Sequence, residues 1–405
     1  MGFLITVFFL ILLSVNYKRG VIIIASTVQF LSYIGTDIPG IKIFTVVSGY
    51  ALLLYCWTSK TFRKPQESYP KTLAFASLLF AISFIVSEIF TRTSHHWGTI
   101  LANIITYFCF PFLLWNCLEE RRDVVLFLKS LYFLMITGLF FGGLELILRK
   151  NYALTILDSI FTLEDFAFDD ERIRFGLKRC NSIFSYFTTY GVACLYSFTV
   201  FFYMKFRYRF KYKKLTLLVF TMPICAFSTG SRAIFLGLFT VILFLYFSQV
   251  YFSMAHSEDY GDGSTAELRE LQWEVCLPSF MESPIVGNGR MYIWDVVSEE
   301  TTILRGAESI WFSIFVDYGI LGALVFVNLL LMCGICLWNV EKKLICLPIS
   351  YLLVLSLSPD TGVQYNILIT FTIIHVKMDC LLKTKMRNIR YGIIRRNQEN
   401  LVRTD

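Results

Sequence analysis

The sequence predicts an all-α polytopic membrane protein of about 11–13 transmembrane helices with a large extracytoplasmic loop. Of its 405 residues, 56% are hydrophobic and 17% are charged, whereas soluble domains are about 45–50% apolar and about 25% charged. Mean hydropathy is +0.60. Apolar stretches recur at nearly the roughly 20 residues that a spanning helix needs, and Lys and Arg cluster in short segments between them. This pattern excludes an ordinary soluble protein.

The apolar stretches define the predicted helices in chain order. In lipid the backbone must satisfy its own hydrogen bonds, so segments of this length are expected to be helical. The stretches are Gly2–Val15, Gly20–Ile34, Ile41–Trp57, Thr72–Phe90, Thr99–Leu118, Val124–Leu148, Ile183–Met204, Leu215–Phe227, Ala233–Phe252, Ile310–Trp338, Leu344–Leu357 and Val363–Val376.

Basic residues orient these helices, because Lys and Arg in short loops stay in the cytoplasm. The surplus of 37 Lys and Arg over 30 Asp and Glu is therefore a topology signal, and no nucleic-acid partner is expected. The basic segments are Lys18–Arg19, Lys60–Lys71, Arg121–Arg122, Lys205–Lys214, Lys342–Lys343 and the tail after Lys377. The run at Lys205–Lys214, with aromatic residues between its charges, is the strongest of them.

Six regions follow from this orientation. Residues 1–148 are N-terminal transmembrane helices, 149–182 an extracytoplasmic loop, 183–255 further transmembrane helices, 256–309 the large extracytoplasmic loop, 310–376 the C-terminal transmembrane helices and 377–405 a basic cytoplasmic tail, which is expected to form an interfacial helix. Cys180 and Cys276 fall one in each outer loop, which leaves a disulfide between them open.

The crossing count between Lys214 and His256 conflicts with this orientation. An inner Lys214 and an outer His256 need an odd number of crossings, yet two apolar segments lie between them. About 40 residues are too few for three full spans. Either one segment is re-entrant, or the two form one broken span, or a segment is missing.

The sequence FSTGSR carries the first candidate residue. It ends an apolar segment and places Arg232 at the outer interface. A guanidinium offers a rigid fork of donors that suits phosphate oxygens. An Arg often caps a membrane helix, so this motif alone is weak.

The second candidate is the start of the large outer loop. Apolar residues of the sequence LRELQWEVCLPSF approximate a helical stripe that places Arg269 and Trp273 on one face. Pro284 is expected to stop this helix, and a tight turn is expected at Gly287-Asn288-Gly289. An amphipathic helix lying on the membrane explains the stripe equally well, but it does not explain an Arg so close to the membrane plane.

The third candidate is the start of the next spanning helix, where Glu308 and Ser309 stand. Acidic residues favour a helix N-terminus, so Glu308 as a simple cap is an even alternative to a functional role. Asp317-Tyr318-Gly319 follows a few turns deeper, where the glycine permits close helix contact.

Four further polar residues lie near the outer ends of apolar segments. Glu88 and Glu145 are suspects because acids inside a membrane are expensive, although near a helix end they can reach the interface. His95 and His96 occupy a short turn without a carboxylate cluster nearby in sequence. No metal site is expected from them.

The order of these motifs resembles the O-antigen ligase and polymerase superfamily. The order is Thr-Gly-Ser-Arg at a helix end, then Arg-x-x-x-Trp, then Pro-x-x-Gly-x-Gly, then Glu-Ser followed by Gly-Ile-Leu-Gly. The similarity runs from about Arg174 to Leu331. Members are multi-pass glycosyltransferases of the bacterial cytoplasmic membrane, GT-C-like in layout, which act on undecaprenyl-pyrophosphate-linked glycans without metal, cofactor or nucleotide sugar.

The resemblance implies a set of site residues. Arg232 and Arg269 match the arginines thought to hold the donor pyrophosphate, and Glu308 stands where ligases usually carry a His. The resemblance implies these three as catalytic; the expected substrate-binding residues are Arg290, Trp273, Ser309, Arg174 and Arg179. An acid in place of the His favours a polymerase of O-antigen, capsule or exopolysaccharide repeat units.

Two alternatives stay open. One is an O-antigen ligase, which transfers finished polymer to a lipid or protein acceptor. The other is a polysaccharide or ion-coupled transporter or flippase, which would use Glu88 and Glu145. The expected partners are the lipid-linked oligosaccharide, membrane lipid, and a chain-length regulator and flippase.

Overall fold

The computed structural model describes residues 2–31, 34, 42–58, 69–91, 95–160, 173–174, 177–184, 187–208, 210, 214–246, 266–297, 309–356 and 364–401. The helices are α1 (Gly2–Val15), α2 (Tyr17–Ser26), α3 (Val28–Leu31), α4 (Ile43–Thr58), α5 (Lys71–Ile89), α6 (Trp97–Ile104), α7 (Phe110–Cys117), α8 (Arg121–Leu148), α9 (Tyr152–Ile160), α10 (Phe187–Phe202), α11 (Lys214–Ser228), α12 (Arg232–Tyr246), α13 (Ala266–Glu282), α14 (Ile310–Val340), α15 (Cys346–Ser356) and α16 (Gln364–Leu401).

Short irregular turns join or extend several helices. The π-turn Ile105–Cys109 joins α6 to α7, the π-turn Tyr203–Arg207 extends α10, the π-turn Ile293–Val297 follows α13, and the 3₁₀ turn Lys342–Ile345 precedes α15. Between α9 and α10, strands β1 (Ile173–Arg174) and β2 (Leu177–Lys178) form an antiparallel hairpin.

The chain is an all-α polytopic membrane protein. Among the described residues, six helical stretches are long and apolar enough to cross a membrane: Lys71–Ile89, Trp97–Cys117, Arg121–Leu148, Phe187–Arg207, Ile310–Val340 and Tyr365–Lys383. Four apolar helices are shorter: Gly2–Val15, Ile43–Trp57, Leu215–Ser228 and Ala233–Ile242. The two-residue strands β1 and β2 are not predicted by the sequence.

Two predicted segments differ in more than their end residues. The stretch expected to cross at Gly20–Ile34 is divided at Thr27 into α2 and α3. Thr27 donates its hydroxyl to the carbonyl of Ile23 (3.1 Å), and such local bonds end or bend a helix. The basic tail continues α16 to Leu401 without a break.

The predicted cytoplasmic loops meet at one end of the molecule, called here the inner end. Each contact joins loops that are far apart in sequence, so the orientation of neighbouring helices alternates as the Lys and Arg pattern requires. The contacts are Lys18 Nζ with Glu119 Oε2 (3.0 Å) and Asp123 Oδ2 (2.8 Å), the Arg121 guanidinium over the Phe210 ring (4.3 Å), and Arg207 Nε with Glu341 Oε2 (3.2 Å).

Helices α11 and α12 are antiparallel neighbours that bring the chain out and back. The carbonyl of Ser228, at the end of α11, accepts a hydrogen bond from Cys180 N at the opposite, outer end (3.3 Å). Gly191 and Leu195 of α10 lie against Ile234 and Gly237 in the same order, so α12 runs parallel to α10, toward the inner end. Residues 247–265 lie outside the described residues, and with them the crossing count between Lys214 and His256.

Candidate active site

Glu145, near the end of α8, organises the first polar cluster of the outer end. Its side chain is buried, and its Oε2 accepts bonds from Asn181 N (3.0 Å), Ser182 N (2.7 Å) and Asn151 Nδ2 (3.1 Å). The thiol of Cys180 lies 3.5 Å from the same oxygen. Burial and the neighbouring carboxylate raise the pKa of Cys180. The carboxylate thus holds the turn before α10, which supports a structural role for Glu145.

This cluster positions the Thr229–Ser231 turn and Arg179. Because Cys180 N bonds the carbonyl of Ser228, Arg179 stands next to the turn that precedes Arg232. The Arg179 guanidinium lies over the Phe187 ring at 4.5 Å. Arg174, by contrast, is described only by its backbone, which forms β1.

The Pro-x-x-Gly-x-Gly segment docks into a break in α14. Gly319 has φ 65° and ψ −165°, which interrupts the helix, and its freed backbone groups need other partners. The 284–289 segment supplies them on both sides of the break. After the break, Ile320 N donates to Pro284 O (2.9 Å) and Leu321 N to Ile285 O (3.0 Å). Before the break, Val316 O accepts from Asn288 N (3.0 Å) and Asp317 O from Gly289 N (3.2 Å). The prediction that Pro284 stops α13 is confirmed, since α13 ends at Glu282.

Asp317 fixes the residues that follow this segment. Its buried carboxylate accepts bonds from Met291 N (3.1 Å) and Ile293 N (3.0 Å), and its carbonyl accepts the hydroxyl of Ser87. Burial, with a smaller contribution from this carboxylate, raises the pKa of Cys276 to about 12. The loop after α13 is therefore tied to both α14 and α5.

Arg290 is half-buried between three helices. Its Nη1 donates to the hydroxyl of Tyr318 (3.1 Å), and its guanidinium stands 5.9 Å from the Phe84 ring centre. With the Asn103 amide turned so that its oxygen faces the guanidinium, Nη2 donates to Asn103 (3.1 Å). Arg290, expected from sequence to bind substrate, thus also braces the loop against α6 and α14.

The outer ends of α5 and α6 form a second polar cluster that the sequence did not reveal. Glu88 is fully buried and accepts the backbone N–H of His96. His96 Nε2 lies 2.9 Å from Asp295 Oδ2, and His95 Nδ1 lies 3.8 Å from Glu88 Oε1. Asp295, which pairs with His96, comes from a loop that is distant in sequence, so local sequence around the histidines does not reveal this contact.

Helix α13 runs beside the first turns of α14. Trp273 packs against Phe312 (ring centres 4.9 Å apart) and Phe315 (5.9 Å), and Phe280 packs against Phe315 (5.7 Å). The two helices therefore run parallel. Arg269, one turn before Trp273, is level with the start of α14.

Ser309 begins α14 as its N-cap, where its buried hydroxyl accepts the N–H of Trp311 (3.3 Å). The prediction that a helix begins here is confirmed, although Ser309 rather than Glu308 supplies the cap. Glu308 lies outside the described residues. Of Arg232 and Arg269 the structure describes the backbone, at the first residue of α12 and within α13.

The outer cysteines belong to different clusters. Cys180 lies against Glu145, and Cys276 lies in a small apolar cluster with Ile293 and Phe312. Both are free thiols, so the disulfide left open by the sequence is not formed.

One comparison with known proteins identifies part of this architecture. The sequence model of the O-antigen ligase family matches residues 186–327, which span α10 to the middle of α14, including the break at Gly319. No curated protein gives a significant match. The matched region contains Arg232, Arg269, Arg290, Asp295 and Glu308, whereas Arg174, Arg179 and the Glu88–Trp97 part of the α5–α6 cluster lie outside it.

Proposed function

We propose that this chain polymerises lipid-linked oligosaccharide repeat units, a proposal supported by the match of residues 186–327 to the O-antigen ligase family model. In this reaction an acceptor sugar hydroxyl attacks the anomeric carbon of a glycan carried on undecaprenyl pyrophosphate. The bond to the pyrophosphate oxygen breaks, and the lipid pyrophosphate leaves. The reaction takes place at the outer face of the bacterial cytoplasmic membrane and needs no metal.

The proposal rests on the position of Arg269, which lies beside the start of α14. Trp273 contacts Phe312, so Arg269 is level with Ser309, the residue directly after Glu308 in the sequence. A cation and an acid carried on these two helices suit a site that binds a pyrophosphate and receives a proton. Arg232 begins α12 at the same outer end.

The proposed catalytic residues have distinct roles, each with an expected effect on the rate. Arg232 and Arg269 stabilise the negative charge that develops on the departing pyrophosphate, and removal of one such donor typically lowers the rate by about 10²–10³. Glu308 accepts the proton of the attacking hydroxyl, an effect of about 10²–10⁴. Arg290, Trp273, Ser309, Arg174 and Arg179 line the path of the substrate.

The test is complementation of a strain that lacks the gene. We expect Arg232→Ala, Arg269→Ala and Glu308→Ala to reach the membrane normally yet to abolish long glycan chains on gels. Arg122→Ala is the matched control, because this exposed arginine pairs with Glu120 at the inner end, and it should leave chain length unchanged. Wild-type chain length in the three outer variants would refute the assignment.

The second candidate is a ligase on the same scaffold, which the family match favours equally. A ligase would transfer finished polymer once. The gene-deficient strain distinguishes the two: accumulation of full-length lipid-linked polymer indicates a ligase, and accumulation of single repeat units indicates a polymerase. A transporter lacks comparable support from the family match.

A further inference from the structure

The cluster at the outer ends of α5 and α6 has no role in the reaction described above. It consists of Glu88, His95, His96, Trp97 and Asp295, which come from two distant parts of the chain. Its polar groups exceed what packing requires, because Glu88 is fully buried while its Oε2 has no hydrogen-bond partner among the described residues. A buried carboxylate oxygen without a partner is costly, so packing alone does not account for this acid.

An aromatic surface forms one side of the cluster. Trp97 is 44% exposed, and its ring stacks with that of His95 at a centroid distance of 5.9 Å and an angle of 28°. Trp97 is the first residue of α6, and His95 lies two residues before it. The negative face of an aromatic ring attracts positively polarised C–H groups.

Hydrogen-bonding groups form the other side. Asp295 Oδ2 lies 2.9 Å from His96 Nε2, and both side chains remain partly exposed. The backbone N–H of His96 bonds to Glu88, which holds the turn against α5. Carboxylates accept hydrogen bonds from hydroxyl groups, and an imidazole can donate or accept them.

A flat aromatic surface beside carboxylates and imidazoles matches the chemistry of a sugar, which presents C–H groups on one face and hydroxyls around its rim. We propose that this cluster is the binding subsite for the acceptor glycan, with a sugar ring packed on Trp97 and its hydroxyls bonded to Asp295 and His96. The proposal rests on the proposed glycosyl transfer. The subsite belongs to the same assembly as Arg290, because Phe84 and Glu88 are one turn apart on α5 and Arg290 lies over Phe84.

Trp97 has one competing explanation, since aromatic residues also anchor helices at the membrane interface. Trp57 provides the matched control. It ends α4 near the inner end and is 88% exposed, so a Trp57→Ala variant loses an interfacial tryptophan without touching the subsite. Asp158→Asn, which neutralises an exposed acid on α9 at the outer end, is the matched control for Asp295→Asn.

The experiment measures glycan binding by the purified full chain in detergent, separately from catalysis. The probe is the repeat-unit oligosaccharide released from the host's own lipid-linked glycan by mild acid, and binding is followed by saturation-transfer NMR and titration calorimetry. We expect Trp97→Ala and Asp295→Asn to weaken binding by about tenfold or more each, since each removes one principal contact. Trp57→Ala and Asp158→Asn should bind as the wild type does.

The outcomes separate this inference from the proposed function. If the wild type and the two subsite variants do not differ in binding, including the case in which none binds, the subsite assignment is overturned. Equal losses in Trp57→Ala would also overturn it in favour of membrane anchoring. The proposed function is judged by the chain lengths of Arg232→Ala and Arg269→Ala, a readout that does not depend on this binding assay.

Discussion

Glu145 shows how a buried acid near the outer end of a helix serves the fold. The sequence left a structural and a functional role equally open for it and for Glu88, because an acid inside an apolar segment is expensive. In the structure Glu145 accepts two backbone N–H groups and the amide of Asn151 through one oxygen. Its charge is thus used to anchor the turn that precedes α10.

Replacement of Glu145 should separate loss of the acceptor from loss of charge. We expect Glu145→Ala to lower stability strongly, because each buried donor left without a partner costs about 1–3 kcal/mol. Glu145→Gln keeps one oxygen for the donors from Asn151, Asn181 and Ser182 and should be milder. Thermal unfolding in detergent measures both, with Asp158→Ala as the exposed control; equal destabilisation by Gln and Ala would contradict the anchoring role.

At the scale of elements, the break in α14 organises the outer end. From the sequence, only close helix packing is expected at Gly319. The structure uses Gly319 to open the helix, so that the 284–289 segment can bond to both sides of the break. Periodicity could not predict this, because the hydrogen bonds join backbone groups and leave no mark on side-chain pattern.

Gly319 and Gly334 of the same helix test this arrangement. At Gly319 a Cβ would lie 2.5 Å from the carbonyl oxygen of Ile285, and its backbone conformation is essentially restricted to glycine, with strain of about 1–3 kcal/mol for other residues. We expect Gly319→Ala to lower the unfolding temperature and to abolish long glycan chains.

Gly334→Ala is the control for that substitution. A Cβ there meets only Pro348 at 3.6 Å and Ile345 at 4.0 Å, and Ala favours a helix by roughly 1 kcal/mol over Gly. It should therefore be neutral or stabilising. A Gly319→Ala protein that unfolds at the wild-type temperature and makes normal chains would exclude an essential break.

At the scale of the whole molecule, charged contacts define an inner end and polar clusters define an outer end. The clusters around Glu145 and Asp317 lie at the ends of helices whose other ends carry the Lys and Arg loops. The positive-inside rule predicts that these clusters, and α13 with them, lie outside the cytoplasm.

Labelling with a membrane-impermeant maleimide tests this orientation. Glu274→Cys introduces an exposed thiol on α13 and should react in intact cells, whereas Arg122→Cys, exposed at the inner end, should react only after permeabilisation. Native Cys276 on α13 should stay unlabelled near pH 7, because a thiol with a pKa of about 12 is almost wholly protonated. Labelling of Glu274→Cys only after permeabilisation would reverse the orientation and remove the proposed site.

The sequence by itself determined the membrane class, the family resemblance and the starts of α12 and α14. Each of these follows from local features, namely the apolar segments, the placement of Lys and Arg, and the order of short motifs. Only the tertiary structure brought His96 to Asp295. It also brought Thr91 to Asn288, although these two residues are 197 positions apart in the sequence. The physical reason is that the 284–289 segment has no periodic side-chain pattern and is positioned by backbone hydrogen bonds to the broken helix α14. Which backbone groups meet there depends on how all the helices pack together.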